Sequence, residues 1–311
     1  MRQRTWALAI GIFFFSCKKE KTQYEVFFDK TFAIIKNKSI RKNELDWSKI
    51  EKSVKDSIGN FRDNNDVYNG IGYTLRLIND GHSIFSAPAS SFPLNNKSLS
   101  IPEVQSKIVG NKIGYLKLTG YFANDSLSGL YALKIRRAFK KLDNSMNLSG
   151  WIIDLTDNGG GKMSTMPLGL SPLFQDSVIG YAINNKGEYG KQICTSNIFS
   201  WNVNKIDSID FDSTLKNGNK KIAVLVNSKT ASAGEFLSLA FKFQKNAKIF
   251  GTKTKGKTSH LELVLFGSKA KLLICTQYMC DHNKKAVQGP LIPDVECAPA
   301  KSLELAIDWI E

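Results

Sequence analysis

The sequence predicts an α+β or α/β fold in two parts: a small N-terminal helical domain over residues 24–87 and a larger αβ core over residues 106–311. Three observations predict it. Apolar residues before residue 80 recur at helical spacing. A stretch rich in serine, proline and asparagine, Pro88 to Pro102, then breaks the pattern and reads as a linker over 88–105. From Ser106 onward short strand-like runs alternate with helical ones, the grammar of a sheet covered by helices.

Taken in order, Phe27, Phe28, Ile34 and Ile35 mark a first helical stripe. Leu45, Trp47, Ile50, Val54 and Ile58 mark a second, with Asn43 or Asp46 placed to cap it. Val67, Ile71, Leu75 and Ile78 mark a third, which ends at the turn signal Asn79-Asp80-Gly81-His82-Ser83. In the core, Ile113 to Leu118 alternates as a strand, and Leu127 to Leu142 has helical spacing. Trp151-Ile152-Ile153-Asp154-Leu155 is a buried-type strand. Lys162 to Phe174 predicts a helix interrupted near Pro167, and Val178 to Thr195 a β-hairpin. Ile222 to Val226 predicts a strand, Phe236 to Phe243 a helix, and Lys248 to Gly251 another strand. Leu261 to Gln277 reads as a strand pair turned near Gly267, and Ser302 to Ile310 as a closing amphipathic helix.

Composition is globular: 311 residues, 42% hydrophobic, with 23 glycines and 8 prolines. The net charge of +15 is scattered, without a block of five or six basic residues, so it reads as a solvated surface and not as a nucleic-acid footprint. Arg2 and Arg4 precede an apolar run from Trp6 to Phe15, then Ser16-Cys17. That run matches a signal-peptide core over residues 1–16 and is too short to span a bilayer. A small residue followed by cysteine resembles a bacterial lipobox, with Cys17 as the lipidated residue and 17–23 as a tether. Phe14 stands where leucine is usual, and an ordinary secretory signal is the alternative. Cys194, Cys275, Cys280 and Cys297 allow three full disulfide pairings, which the sequence leaves open. With no C-x-x-C and no clustered His/Cys spacing, no metal or other cofactor is expected.

Four pieces carry candidate chemistry. Asp154-Leu155-Thr156-Asp157-Asn158-Gly159-Gly160-Gly161 follows a strand, and its glycines can aim free N–H groups at one point, as an oxyanion hole requires. Ser232 sits where a strand passes into a helix; Ser232-x-x-Glu235 also reads as a capping box, so the serine is a cap, a nucleophile or both. Lys257, in a glycine turn, is a candidate base if burial neutralises it. His82 is a second candidate, because imidazole titrates near neutrality unaided.

Together and in order, six motifs resemble the C-terminal processing (tail-specific) serine peptidases and their relatives with a tricorn-type core. They are Asp80-Gly81-His82-Ser83; Ile113-Gly114-Tyr115-Leu116; Asp154-Leu155-x-x-Asn158-Gly159-Gly160-Gly161; Thr230-Ala231-Ser232-Ala233-x-Glu235; Gly251-x-x-Thr254-x-Gly256-Lys257; and Gly289-x-x-x-Pro293-Asp294. The resemblance implies a crotonase/ClpP-like αβ core of stacked β-β-α-type units. It also implies Ser232 as nucleophile, Lys257 as base 25 positions later, and the N–H groups of Ala233 and Gly159 or Gly160 as oxyanion donors. Asp154, Asn158, Glu235 and Gln288 are the expected supporting residues. Lys257 is the preferred base because Thr254-x-Gly256-Lys257 is intact; tricorn-like relatives use histidine, which His82 matches.

This chain departs from the pattern at four places. Leu261 stands where the processing enzymes hold their lysine with glutamine; if the strand alternates regularly, neighbouring Thr258 and His260 face away. Thr156 replaces the usual arginine, and Gln288 the glutamate of the tricorn-like relatives. About thirty residues separate Ser83 from Gly114, too few for the PDZ domain that many relatives carry there. The expected function is a lipid-anchored serine endopeptidase of the bacterial envelope acting on protein or peptide substrates, unfolded chains or C-terminal tails among them. The alternatives are an inactive relative that binds peptides in the old cleft, and a structural envelope lipoprotein.

Overall fold

The computed structural model describes residues 20–87, 100–122, 125–266 and 270–311. Cys17, the signal segment, most of the serine-rich linker and the turn at Gly267 lie outside these.

Three helices open the chain: α1 (Gln23–Lys38), α2 (Trp47–Ile58) and α3 (Asn64–Ile78). Each begins at a side-chain cap, Thr22, Asp46 and Asp63, and α3 stops at Asn79 in the left-handed conformation. A short strand β1 (Ile84–Ser86) follows, then β2 (Gln105–Val109), β3 (Ile113–Lys117), α4 (Asp125–Asp143) and β4 (Gly150–Asp154). Next come α5 (Thr165–Leu170) and a meander of β5 (Val178–Asn184), β6 (Tyr189–Thr195), β7 (Ile198–Trp201) and β8 (Asn204–Ser208). The chain closes with β9 (Lys221–Val226), α6 (Ala233–Lys242), β10 (Ala247–Gly251), β11 (Ser259–Phe266), β12 (Ala270–Cys280), β13 (Val295–Glu296) and α7 (Pro299–Ile310).

Among the described residues the strands form two sheets. The first runs β13-β10-β9-β4-β3-β2, parallel except for β2. All five residues of β4 are buried, as helices on both faces demand. Helices α4 and α6 cover one face through Tyr131, Phe139, Leu237 and Phe241, and α7 covers the other through Ala306 and Ile310. The second sheet runs β1-β12-β5-β6-β7-β8, with β11 also paired to β12. The N-terminal helices share one apolar cluster with it, Phe28, Ile35, Val54 and Ile71 packing with Leu272 and Ile274 of β12. This docking places the turn after α3 against the core.

Two local expectations are corrected. The helix expected from Lys162 starts only at Thr165; Pro167 lies in its first turn, where a missing N–H costs nothing, and does not interrupt it. The hairpin β7–β8 was not anticipated, since Asn204–Ser208 is polar and mostly exposed and shows no apolar alternation. It is held by Arg136 of α4, fully buried, whose guanidinium donates to Ser196 O (2.9 Å) and Asn197 Oδ1 (3.0 Å). Cys194, Cys275, Cys280 and Cys297 are all unpaired thiols.

Candidate active site

The site lies beyond the carboxyl ends of the parallel strands, where open αβ sheets place their ligands. Strands β4 and β9 are neighbours, and the turns that follow them are stitched together. Thr230 Oγ1 donates to Leu155 O (2.8 Å), the Ala231 N–H to Asn158 O (2.9 Å), and the Asp157 N–H to Asn227 Oδ1 (3.1 Å). Asn158, fully buried, also donates to Leu118 O (2.9 Å) and so ties in the end of β3.

Ser232 stands at the apex of the second turn with φ 53° and ψ −117°, a conformation that costs a non-glycine residue of order 1–3 kcal/mol and holds the side chain up from the backbone. Gly160 packs directly beneath it. A Cβ at Gly160 would meet Ser232 Cβ at 2.8 Å and Ala231 O at 2.9 Å, so only glycine, at φ +101°, permits this approach. Ala233 opens α6, where first-turn amides lack helical partners. Ala233 and Gly159 line the same cavity as Ser232, and neither N–H has a hydrogen-bond partner among the described residues. The Gly160 N–H, expected as an alternative donor, is given to Asn158 Oδ1 instead (3.0 Å).

Glu235 is fully buried and accepts four hydrogen bonds. Oε2 takes the N–H groups of Ser232 (2.8 Å) and Lys257 (2.8 Å); Oε1 takes the Thr254 hydroxyl (2.5 Å) and the Gly256 N–H (2.7 Å). One carboxylate therefore fixes the Ser232 turn and the Lys257 turn together. Lys257 is half-buried, and its Nζ donates to Gly81 O. Asp154 accepts from Tyr115 Oη (2.5 Å) and from Thr156 (N–H 2.8 Å, Oγ1 2.6 Å), with Lys117 Nζ at 3.7 Å. Lys117 thus supplies the cation behind the glycine turn where Thr156 lacks one.

His82 is buried in the wall of the same cavity. Its Nδ1 lies 2.9 Å from Ser259 Oγ, which in turn lies 3.2 Å from Cys275 Sγ. Burial first, and then the charge of Lys257, pushes the imidazole down to about 4, so it is neutral at physiological pH. Gln288 does not join this group: it is exposed and lines a second, smaller cavity with Asp80 and Ser259.

The cavity beside Ser232 has a volume of about 830 Å³. Phe236, Trp201, Met279 and Leu261 give it apolar walls. His260, expected to face away, lines it too. The pairing of β11 with β12 shifts register between His260 and Leu261, with Thr276 of β12 as the extra, unpaired residue, and Thr276 lines the cavity as well. Its ring packs edge-on against Trp201 (5.3 Å) and Phe236 (6.0 Å), and enclosure pushes it down to about 4. Thr258 does face away, donating toward Val287 O and Gly289 O. Sequence reasoning missed Ser259 as a partner of His82. Regular alternation puts Ser259 on the face of Lys257, but no local signal pairs it with His82. Among the described residues no three His, Cys, Asp or Glu side chains are placed to hold a metal ion.

A strained serine at a strand-to-helix turn, open amides beside it and a neutral histidine in the same cavity define the class: a serine hydrolase site on an αβ core. Residues 112–297 match the profile of peptidase family S41, and the chain belongs to that family of serine peptidases. Among curated proteins it is 32% identical over 213 residues to the nisin-resistance protein of Lactococcus lactis subsp. lactis, covering 67% of this chain and 62% of that one. It is 27% identical over 203 residues to a carboxy-terminal-processing protease of Bartonella bacilliformis, covering 63% of this chain and 41% of that protein. The chain thus spans less than two thirds of the length of these relatives. Among solved structures, a lipoprotein from Streptococcus agalactiae superposes with a TM-score of 0.75 at 18% identity, covering 94% of this chain and 97% of that one. The photosystem II D1 C-terminal processing protease superposes with a TM-score of 0.65 at 15% identity, over 92% and 97%.

Proposed function

We propose that this protein is a serine endopeptidase in which Ser232 attacks the scissile carbonyl and His82 is the general base. The observation that carries this reading is the convergence of Ser232, the open amides of Ala233 and Gly159, and His82 on one cavity. In this mechanism the neutral imidazole carries its proton on Nδ1, which lies 2.9 Å from Ser259 Oγ, and Nε2 takes the Ser232 proton and later returns it to the leaving amine. The oxyanion is held by the Ala233 and Gly159 amides, and water releases the acyl group from Ser232. Asn158, Asp154 and Glu235 hold the two turns in place.

Lys257 is the second reading for the base. Its backbone is anchored by the same Glu235 oxygen that holds Ser232, and it lines the same cavity. Against it, Nζ is donated to the Gly81 carbonyl and the side chain is only half-buried. Labelling Ser232 with a fluorophosphonate in wild type, His82→Ala and Lys257→Ala decides between them. Loss of the true base should slow acylation by roughly two to four orders of magnitude. Equal labelling of wild type and Ser232→Ala overturns the nucleophile. Full retention of rate in His82→Ala moves the base to Lys257.

The substrates we assign are proteins or peptides in extended form, C-terminal tails among them, as the names of the processing-protease relatives suggest. The placement is the bacterial envelope, through a lipid on Cys17. The lipobox-like Ser16-Cys17 and the likeness to a lipoprotein structure support it. Among the described residues no helix is long and apolar enough to cross a membrane. Metabolic labelling with a radioactive fatty acid tests the anchor; wild type and Cys17→Ser labelling alike would refute it.

A further inference from the structure

Part of the positive charge that is scattered along the chain meets at one place in the fold. Five lysines line the Ser232 cavity, Lys162, Lys229, Lys255, Lys257 and Lys271, against one carboxylate, Glu262. The compensation of these charges is uneven. Lys162 is paired with Asp207 (2.8 Å) and Lys229 with Asp157 (3.3 Å), while Glu262 is itself taken by Lys38 (2.6 Å). Lys255 and Lys271 have no carboxylate within ion-pair distance among the described residues, and Lys257 Nζ meets only a neutral carbonyl. Among the described residues three cations without an ion-pair partner, Lys255 exposed and Lys257 and Lys271 partly buried, thus face one cavity with apolar walls, and charges of one sign lining a cleft focus their field there.

Their placement is fixed by backbone structure. The Lys255 N–H donates to Thr230 O (2.9 Å), which holds Lys255 beside the turn that carries Ser232. Lys271 sits in β12, in register with Leu265 of β11 on one side and Ser86 of β1 on the other. Between them, Leu261 and Leu263 of β11 line the cavity. The chemistry that complements this surface is an extended peptide with apolar side chains on the walls and carboxylate side chains toward Lys255 and Lys271.

We propose that the preferred substrates are acidic peptide segments, carrying Asp or Glu near the scissile bond among apolar residues. This deepens the peptidase reading and rests on it for the word substrate; the binding preference itself does not. The test uses the full chain carrying Ser232→Ala, and short fluorescent peptides of one apolar sequence interspersed with Glu, Gln or Lys. Fluorescence anisotropy should show the Glu peptide binding about tenfold or more tighter than the Gln peptide, and the Lys peptide weakest. The Glu advantage should shrink as salt rises. It should be largely lost in Lys255→Gln/Lys271→Gln and kept in Lys255→Arg/Lys271→Arg, which controls for folding. Equal binding of the three peptides, tightest binding of the Lys peptide, or an unchanged Glu advantage in the double Gln variant overturns the proposal. Wild-type protein with the same peptides separates the two levels. Cleavage without charge preference removes the acidic-substrate inference and leaves the peptidase. Preferential binding of the Glu peptide with no cleavage does the reverse.

Discussion

His82 Nδ1 lies 2.9 Å from the hydroxyl of Ser259, a residue 177 positions away in sequence. Both side chains are buried, and Ser259 is two positions beyond Lys257. In the proposed mechanism this hydrogen bond would orient the imidazole in the role that a carboxylate fills in a Ser-His-Asp triad. Replacing Ser259 with alanine should therefore lower kcat about fivefold with little change in KM, as expected for losing one neutral hydrogen bond worth roughly 1 kcal/mol. Ser259→Thr should restore most of it. Steady-state kinetics on a fluorogenic peptide checks this; an unchanged kcat in Ser259→Ala would show that the bond does not position His82.

Glu235 couples the two halves of the site. Four donors converge on a side chain that, ionised, is acceptor-only. In Glu235→Gln an NH2 group faces N–H or O–H donors at one of the two oxygen positions, leaving buried donors unpaired. Stability should drop by roughly 3 kcal/mol or more, measured as a lower urea midpoint. Ser232 labelling should fall together with it, since the Ser232 and Lys257 turns lose their shared anchor.

The glycine turn allows a paired prediction. Gly160→Ala puts a methyl 2.8 Å from Ser232 Cβ, so the nucleophile turn must shift. Misplacing a reacting group by about 1 Å costs on the order of a hundredfold in rate, and crowding of this kind costs about 1–3 kcal/mol of stability. Gly159→Ala meets nothing within 4 Å and keeps its N–H, so it should fold with wild-type stability. Thermal melts and acylation rates of the two variants, run side by side, check the contrast. Equal rate losses in both would remove the steric argument.

What was readable in the chain was what is local. Thr230 to Glu235 announces a strand-to-helix turn, and the helix starts at Ala233 as the capping pattern requires. The buried run at Trp151 and the glycines after Asp154 are equally self-contained. The pairing of His82 with Ser259 was not readable, because it depends on β12 carrying β1 along one edge and β11 along the other. His260 was misplaced for a related reason: the rings that hold it at the cavity, Trp201 of β7 and Phe236 of α6, come from distant parts of the chain. Trp201 came from a hairpin whose second strand has no apolar pattern, so nothing in its sequence marked it.

The two cavity histidines make stability depend on acid. His82 and His260 are each pushed from 6.5 down to about 4, chiefly by burial, and so are neutral in the folded state over a range where the unfolded chain is protonated. The unfolded state therefore binds more protons between these values, and stability must rise with pH there. Their contribution is fully present above pH 6.5, is lost as pH falls from 6.5 toward 4, and falls no further below that. One such histidine corresponds to a loss on the order of 3 kcal/mol; because the two repel each other when charged, their losses do not simply add. Urea midpoints measured at intervals across this window should fall steadily toward acid. His260→Phe, which keeps an aromatic ring against Trp201 and Phe236, should flatten the slope without touching Ser232 or His82. A slope identical to wild type in that variant would mean that His260 is not protonated on unfolding and that carboxylates dominate the acid limb instead.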